Sequence, residues 1–148
     1  MRCVLQVVKE ATLSIDNKVY SSIGRGFLIL VGFNNDDKEE DIKKMMDKLI
    51  GLRIFPDENG KTNLSLSDIN GELMVVSQFT LYADIKKGRR PSFINAMRPE
   101  NATKLYDFCL EYLRSKVNKV EGGVFGADMK VSLVNDGPFT LMIDSKEL

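Results

Sequence analysis

The chain contains no histidine. That removes the side chain that ordinarily titrates between about pH 5 and 8, and with it every Ser-His or Cys-His nucleophile pair. Cysteine is scarce too. Cys3 and Cys109 are the only two, one in a strand-like and one in a helix-like apolar pattern, where a free thiol packs as a small hydrophobe. A zinc site would have to be built from carboxylates alone. Net charge is also missing. Lysine plus arginine and aspartate plus glutamate number 21 each, so nucleic-acid binding would have to come from a local patch. No apolar run reaches the ~18 residues needed to span a bilayer. The opening "MRCVLQVVKEA" reads as a strand rather than a leader, because its apolar run is short and no small-residue cleavage site follows. The expectation is a cytoplasmic protein that does not contact a membrane.

What is present is enough for a core. The 148 residues are 43% hydrophobic, which fits one domain over residues 1–148 with no linker, repeat or low-complexity segment. Residues 2–8, 11–15 and the glycine-bounded run 24–33 predict a three-stranded antiparallel start, with "DNK" at 16–18 as a turn. Ile42, Met45, Met46, Leu49 and Ile50 form one helical stripe. Asp36 and Glu39 have capping-box spacing before it, and Gly51 is placed to end it. Residues 52–56 suggest a short strand before the turn "DENG", and 72–82 a long one. A second helix is expected from Pro99, with Ala102, Leu105, Tyr106, Cys109, Tyr112 and Leu113 as its apolar stripe. "EGG" at 121–123 precedes a final strand pair. The fold class is therefore α+β, with two amphipathic helices, each covering one sheet face.

Four segments carry candidate chemistry. "SQFT" places Ser77, Gln78, Phe79 and Thr80 at the end of an apolar strand. As strand residues, Ser77 and Phe79 would face one way and Gln78 and Thr80 the other. Without a histidine nothing nearby in sequence can take a proton from Thr80, so a role in positioning fits better than covalent attack. "KKGRRPSF" concentrates Lys86, Lys87, Arg89 and Arg90 in one glycine-containing loop, suited either to a phosphate backbone or to plain solvation. "GGVFGADM" sets Phe125 and Gly126 ahead of Met129, either as a simple connection or as a place where backbone and ring approach a planar ligand. The fourth segment is Gly137-Pro138, inside a region patterned as strand on both sides. Locally it reads as a tight turn. A cis bond there would point two successive carbonyls nearly the same way, and the sequence leaves the isomer open.

Taken in order, "SQFTL" at 77–81, "KKGRRPSF" at 86–93, "GVFGADM" at 123–129 and "NDGPFT" at 135–140 resemble the D-aminoacyl-tRNA deacylase family, and the similarity runs the whole length. The resemblance implies a mainly antiparallel, barrel-like core under two helices. It also implies a cytoplasmic homodimer that hydrolyses D-aminoacyl-tRNA, or glycine mischarged on tRNA(Ala), without a metal. Gly137 and Pro138 would form a cis motif that enters the partner subunit's pocket, where its carbonyls hold the α-amino group and exclude an L side chain. Ser77, Gln78, Phe79 and Thr80 would line the ester site. Phe125, Gly126 and Met129 would hold the terminal nucleotide, with Ala96 along the same wall. Attack would be assisted by the tRNA's own 2′-hydroxyl, with backbone N–H groups at the oxyanion. One departure stands out: members usually carry an arginine where this chain has Val7, between Gln6 and Val8. The alternatives are a deacylase of relaxed chirality and a non-catalytic module that binds the tRNA 3′ end.

Overall fold

The computed structural model describes residues 1–148. Its spine is the strand Arg2–Ile15 (β1), which bonds along both edges. One edge takes Lys18–Ile23 (β2) and then Gly26–Gly32 (β3), both antiparallel. The helix Glu39–Ile50 (α1) follows, then a separate two-stranded hairpin of Phe55–Pro56 (β4) and Thr62–Leu64 (β5). Glu72–Ser77 (β6) runs parallel to β3. The helix Pro99–Arg114 (α2) leads to Val120–Gly122 (β7), which is parallel to β6. Met129–Asp144 (β8) closes the chain along the other edge of β1. The sheet curls until β2 reaches β7, where Ser21 Oγ donates to the Gly122 carbonyl at 2.8 Å, so the antiparallel-rich sheet is nearly barrel-shaped.

Side-chain alternation sorts the apolar residues into two cores. Cys3, Leu5 and Val7 of β1, Phe27, Ile29 and Val31 of β3, and Leu73 and Val75 of β6 point to one side. There they meet Ile42, Met45, Met46 and Leu49 of α1 and Ala102, Tyr106, Cys109 and Leu113 of α2. Both helices therefore cover the same face, rather than one face each. The opposite face gathers Val8, Ala11, Leu13, Leu28, Met74 and Val76 into a smaller core inside the curl. β3 is apolar at nearly every position because it is buried on both sides. Each buried Leu, Ile, Val, Phe or Met among them contributes about 1.5–3 kcal/mol. The two thiols belong to the larger core, and burial pushes the Cys109 thiol up to about 12.

Several local expectations need correction. The capping pair is not Asp36 and Glu39: the N-cap of α1 is Lys38, whose N–H donates to Asp41 at 2.8 Å, while Asp36 stands in the preceding turn with its own N–H donating to Asn34 Oδ1 at 2.8 Å. Within 52–56 only Phe55 and Pro56 pair. The strand expected over 72–82 ends at Ser77 and tightens into a 3₁₀ turn at Phe79–Tyr82. Most consequentially, the last strand pair is one strand. Met129–Asp144 follows β1 from end to end, so Gly137-Pro138 is not a hairpin turn. The ladder pairs Val8 with Asn135 and Gln6 with Thr140, which leaves Asp136 to Phe139 opposite the single residue Val7. Those four residues bulge out of the sheet.

Candidate active site

Where β6 ends, Gln78 still donates its N–H to the Val31 carbonyl at 2.7 Å. The chain then turns into the 3₁₀ segment, whose first bonded amide is that of Leu81, to the Gln78 carbonyl. The amides of Phe79 and Thr80 thus precede the turn's own hydrogen bonds, as helical N-termini do. Gln78 Nε2 donates to Thr80 Oγ1, which ties the two side chains together. Because the strand stops at Ser77, the two-faced arrangement expected for 77–80 is replaced by a turn that leaves Phe79 and Thr80 exposed. Gly32 permits this packing: a Cβ there would stand 2.7 Å from the Gln78 carbonyl oxygen.

The second segment hangs from α2. Tyr106, 2% exposed, donates its hydroxyl to the Val75 carbonyl at 2.8 Å and accepts the Gly123 N–H at 2.9 Å. From that anchor the loop runs through Phe125, whose ring centroid lies 6.2 Å from that of Tyr106, to Gly126 at φ +78°. No heavy atom lies within 4 Å of where a Gly126 Cβ would be, so its backbone faces open space. Met129 then begins β8.

These two segments meet in a cleft of about 300 Å³, whose lining includes Ser77, Gln78, Phe79, Phe125, Gly126 and Met129. Leu30, Val76 and Val131 supply its apolar floor, and Asp128 is its one carboxylate, paired with Lys130 at 2.7 Å on the surface. Such a mostly apolar hollow with a few amide and hydroxyl groups suits a planar ligand. A larger hollow of about 640 Å³, lined by Arg53, Ser65, Asp68 and Lys116 among others, contains none of the motif residues.

Other candidates lie outside the cleft. Thr80 stands on the turn beside it, and Ala96, half-buried, donates its N–H to the Phe93 carbonyl at 3.0 Å. Phe93 packs edge-on against Phe79, with ring centroids 5.0 Å apart. Lys86, Lys87, Arg89 and Arg90 are all exposed in a loop closed by Asp84 and Ser92, which exchange hydrogen bonds of 2.7 and 2.9 Å. Gly137 and Pro138 are exposed on the bulge of β8, joined by a cis bond, and neither lines the cleft of its own chain. Gly137 has φ +142°, and a Cβ there would lie 2.9 Å from the Phe139 nitrogen, so the position requires glycine. Val7, opposite the bulge, is 4% exposed and turned into the helix-side core. An arginine there would need room for its charge that the present packing does not provide.

Tyr106 was legible only as part of a helical stripe, since its hydroxyl's partners lie on β6 and after β7. Asn135 was legible only as part of a motif. Its hydrogen bonds depend on the bulge of β8.

Comparison with known proteins agrees with this architecture. The D-Tyr-tRNA(Tyr) deacylase family model matches residues 4–144. A D-aminoacyl-tRNA deacylase of Clostridium novyi (strain NT) is 52% identical over 147 residues, 99% of each chain. One from Thermosipho africanus (strain TCF52B) is 54% identical over 148 residues, 100% of this chain and 99% of the relative. The solved structure of a c-Myc DNA unwinding element binding protein superposes with a TM-score of 0.92 at 37% identity, covering 97% of this chain and 98% of the other. A probable eukaryotic D-amino acid tRNA deacylase, at 20% identity and a TM-score of 0.84 over 96% and 97% of the two chains, shares the fold. By the extent of the family match and by the full-length identity of its relatives, the chain belongs to the D-Tyr-tRNA(Tyr) deacylase family.

Proposed function

We propose that this chain is an aminoacyl-tRNA deacylase that hydrolyses the ester between a D-amino acid and the 3′-terminal adenosine of tRNA. The observation that carries the proposal is the meeting of Ser77–Phe79 with Phe125, Gly126 and Met129 in one cleft. In this reading the adenine occupies the apolar part of the cleft, and the ester carbonyl lies against the Phe79 and Thr80 amides. Water adds to the carbonyl carbon, the C–O bond to the ribose breaks, and the ribose oxygen leaves with a proton. An aminoacyl ester is already activated, so positioning and amide donors at the developing oxyanion supply the catalysis. No histidine, metal or cofactor is called for, and the tRNA's 2′-hydroxyl assists the attack.

The working form in this proposal is a cytoplasmic homodimer. Gly137 and Pro138 protrude from β8 and line no part of their own chain's cleft, which supports their use in a partner's. The outer edge of β8 pairs with no other strand, and Val134 and Met142 are exposed along it, as suits a strand that is covered in an assembly. There the Gly137 and Pro138 carbonyls hold the α-amino group and leave no room for an L side chain. Glycine has no side chain to exclude, so glycyl-tRNA(Ala) is also accepted. Lys86, Lys87, Arg89 and Arg90 contact the tRNA backbone.

The test is hydrolysis of D-tyrosyl- and L-tyrosyl-tRNA by the purified protein. Rapid cleavage of the D ester with the L ester spared is expected. Equal rates would overturn the filter, and binding without turnover would mark a tRNA-end binding module instead.

A further inference from the structure

The bulge in β8 is closed by one side chain. Because Val8 pairs with Asn135 and Gln6 with Thr140, the extrusion of four residues brings Asn135 and Thr140 two ladder places apart, on one face of the sheet. Asn135 Nδ2 donates to Thr140 Oγ1 at 2.8 Å, and Asn135 Oδ1 accepts the Phe139 N–H at 2.9 Å. These are the only side-chain hydrogen bonds that reach residues 136–140. The buried Val7 opposite offers none. The Phe139 side chain packs against the helix-side core, so the segment has an apolar anchor at one end and a carboxamide across its mouth.

We propose that Asn135 is a positioning residue whose carboxamide fixes where the Gly137 and Pro138 carbonyls stand, and through them the discrimination between D and L esters. The proposal rests on the reading of Gly137-Pro138 as the chirality filter. A carboxamide suits the place because it offers an acceptor and a donor from one rigid plane. Loss of both bonds frees the mouth of the bulge, and the carbonyls no longer hold one position. Asn135 does not touch the reacting atoms, so its loss acts on selectivity before it acts on the fold.

The experiment compares wild type, Asn135→Ala and Asn135→Asp in three measurements: thermal unfolding, rates on D- and L-tyrosyl-tRNA, and hydrogen exchange at the Phe139 amide. Asn135→Ala is expected to lower the D-to-L ratio of kcat/KM by about tenfold or more and to speed exchange at Phe139. Asn135→Asp keeps an acceptor for the Phe139 N–H and is expected to retain most of the ratio. An unchanged ratio in Asn135→Ala, or D and L rates that fall in step, would overturn the proposal. If Asn135→Ala does not fold, Asn135→Gln decides by the same criteria, since its amide lies one methylene too far out to make both bonds. If the wild type cleaves neither ester, the functional reading fails. The exchange rate at Phe139 then decides alone, and no acceleration in Asn135→Ala disproves the latch.

Discussion

Gly123 donates its N–H to the Tyr106 hydroxyl at 2.9 Å, so the loop that carries Phe125 is suspended from a helix in the core. The same hydroxyl donates to Val75, one strand residue before the Val76-Ser77 end of β6. A single phenol thus sets the distance between the two segments that form the cleft.

Tyr106→Phe keeps the ring and deletes this tie. It leaves a Gly123 N–H and a Val75 carbonyl short of a partner, which costs about 1–3 kcal/mol. Denaturant unfolding should show a lower midpoint with an unchanged slope, and KM for aminoacyl-tRNA should rise more than kcat falls. A variant as stable as wild type would show that the loop does not depend on the tie.

Acid should loosen the β3–β6 end of the sheet. The Glu72 carboxylate accepts the Gly24 N–H at 2.6 Å and lies 3.2 Å from Lys119 Nζ. The Gly24 hydrogen bond, opposed by partial burial and aided by Lys119, holds its pKa below the ordinary 4.5. A depressed folded-state pKa contributes stability that is complete above 4.5 and is lost as pH falls through the lower folded value. Wild type should therefore exceed Glu72→Gln in unfolding midpoint at neutral pH, and the gap should close in acid below the carboxylate range. A gap of constant size would contradict the assignment.

Much of the fold was legible in the sequence because its signals are local. The α1 stripe of Ile42, Met45, Met46 and Leu49 is buried as its period requires, and Pro99 opens α2. What escaped depends on distant partners. Gly137-Pro138 resembles a turn when only its neighbours are considered. It is a bulge because β1, some 130 residues earlier, runs alongside it. Likewise the period of 72–82 continues as strand, but β3 ends at Gly32, so the ladder that would support a longer β6 is absent. Ser77–Phe79 and Phe125–Met129 have no local reason to meet. The family resemblance linked them, and the fold brings them into one cleft.

With Lys86, Lys87, Arg89 and Arg90 on the tRNA backbone, as proposed, tRNA affinity should depend on salt. Each cation that neutralises a phosphate contributes about 0.7–0.9 to the slope of log affinity against log salt concentration. Replacing Arg89 and Arg90 with glutamine should flatten the slope by about 1.4–1.8 and leave thermal stability unchanged, because both side chains lie in solvent. Titrating tRNA at several salt concentrations checks this, and an unaltered slope would move the contact elsewhere.

In the proposed dimer, each site combines the cleft of one chain with the Gly137-Pro138 segment of the other. Subunit mixing tests this arrangement. One variant carries Gln78→Ala with Phe79→Ala, the other Gly137→Ala, and each alone should fail to hydrolyse D-tyrosyl-tRNA efficiently. After dissociation and re-pairing, a mixed dimer has one doubly damaged site and one intact site, so activity should return. If cleft and motif act within one chain, every site in the mixture remains damaged, and the absence of any recovery in verified mixed dimers would contradict the account.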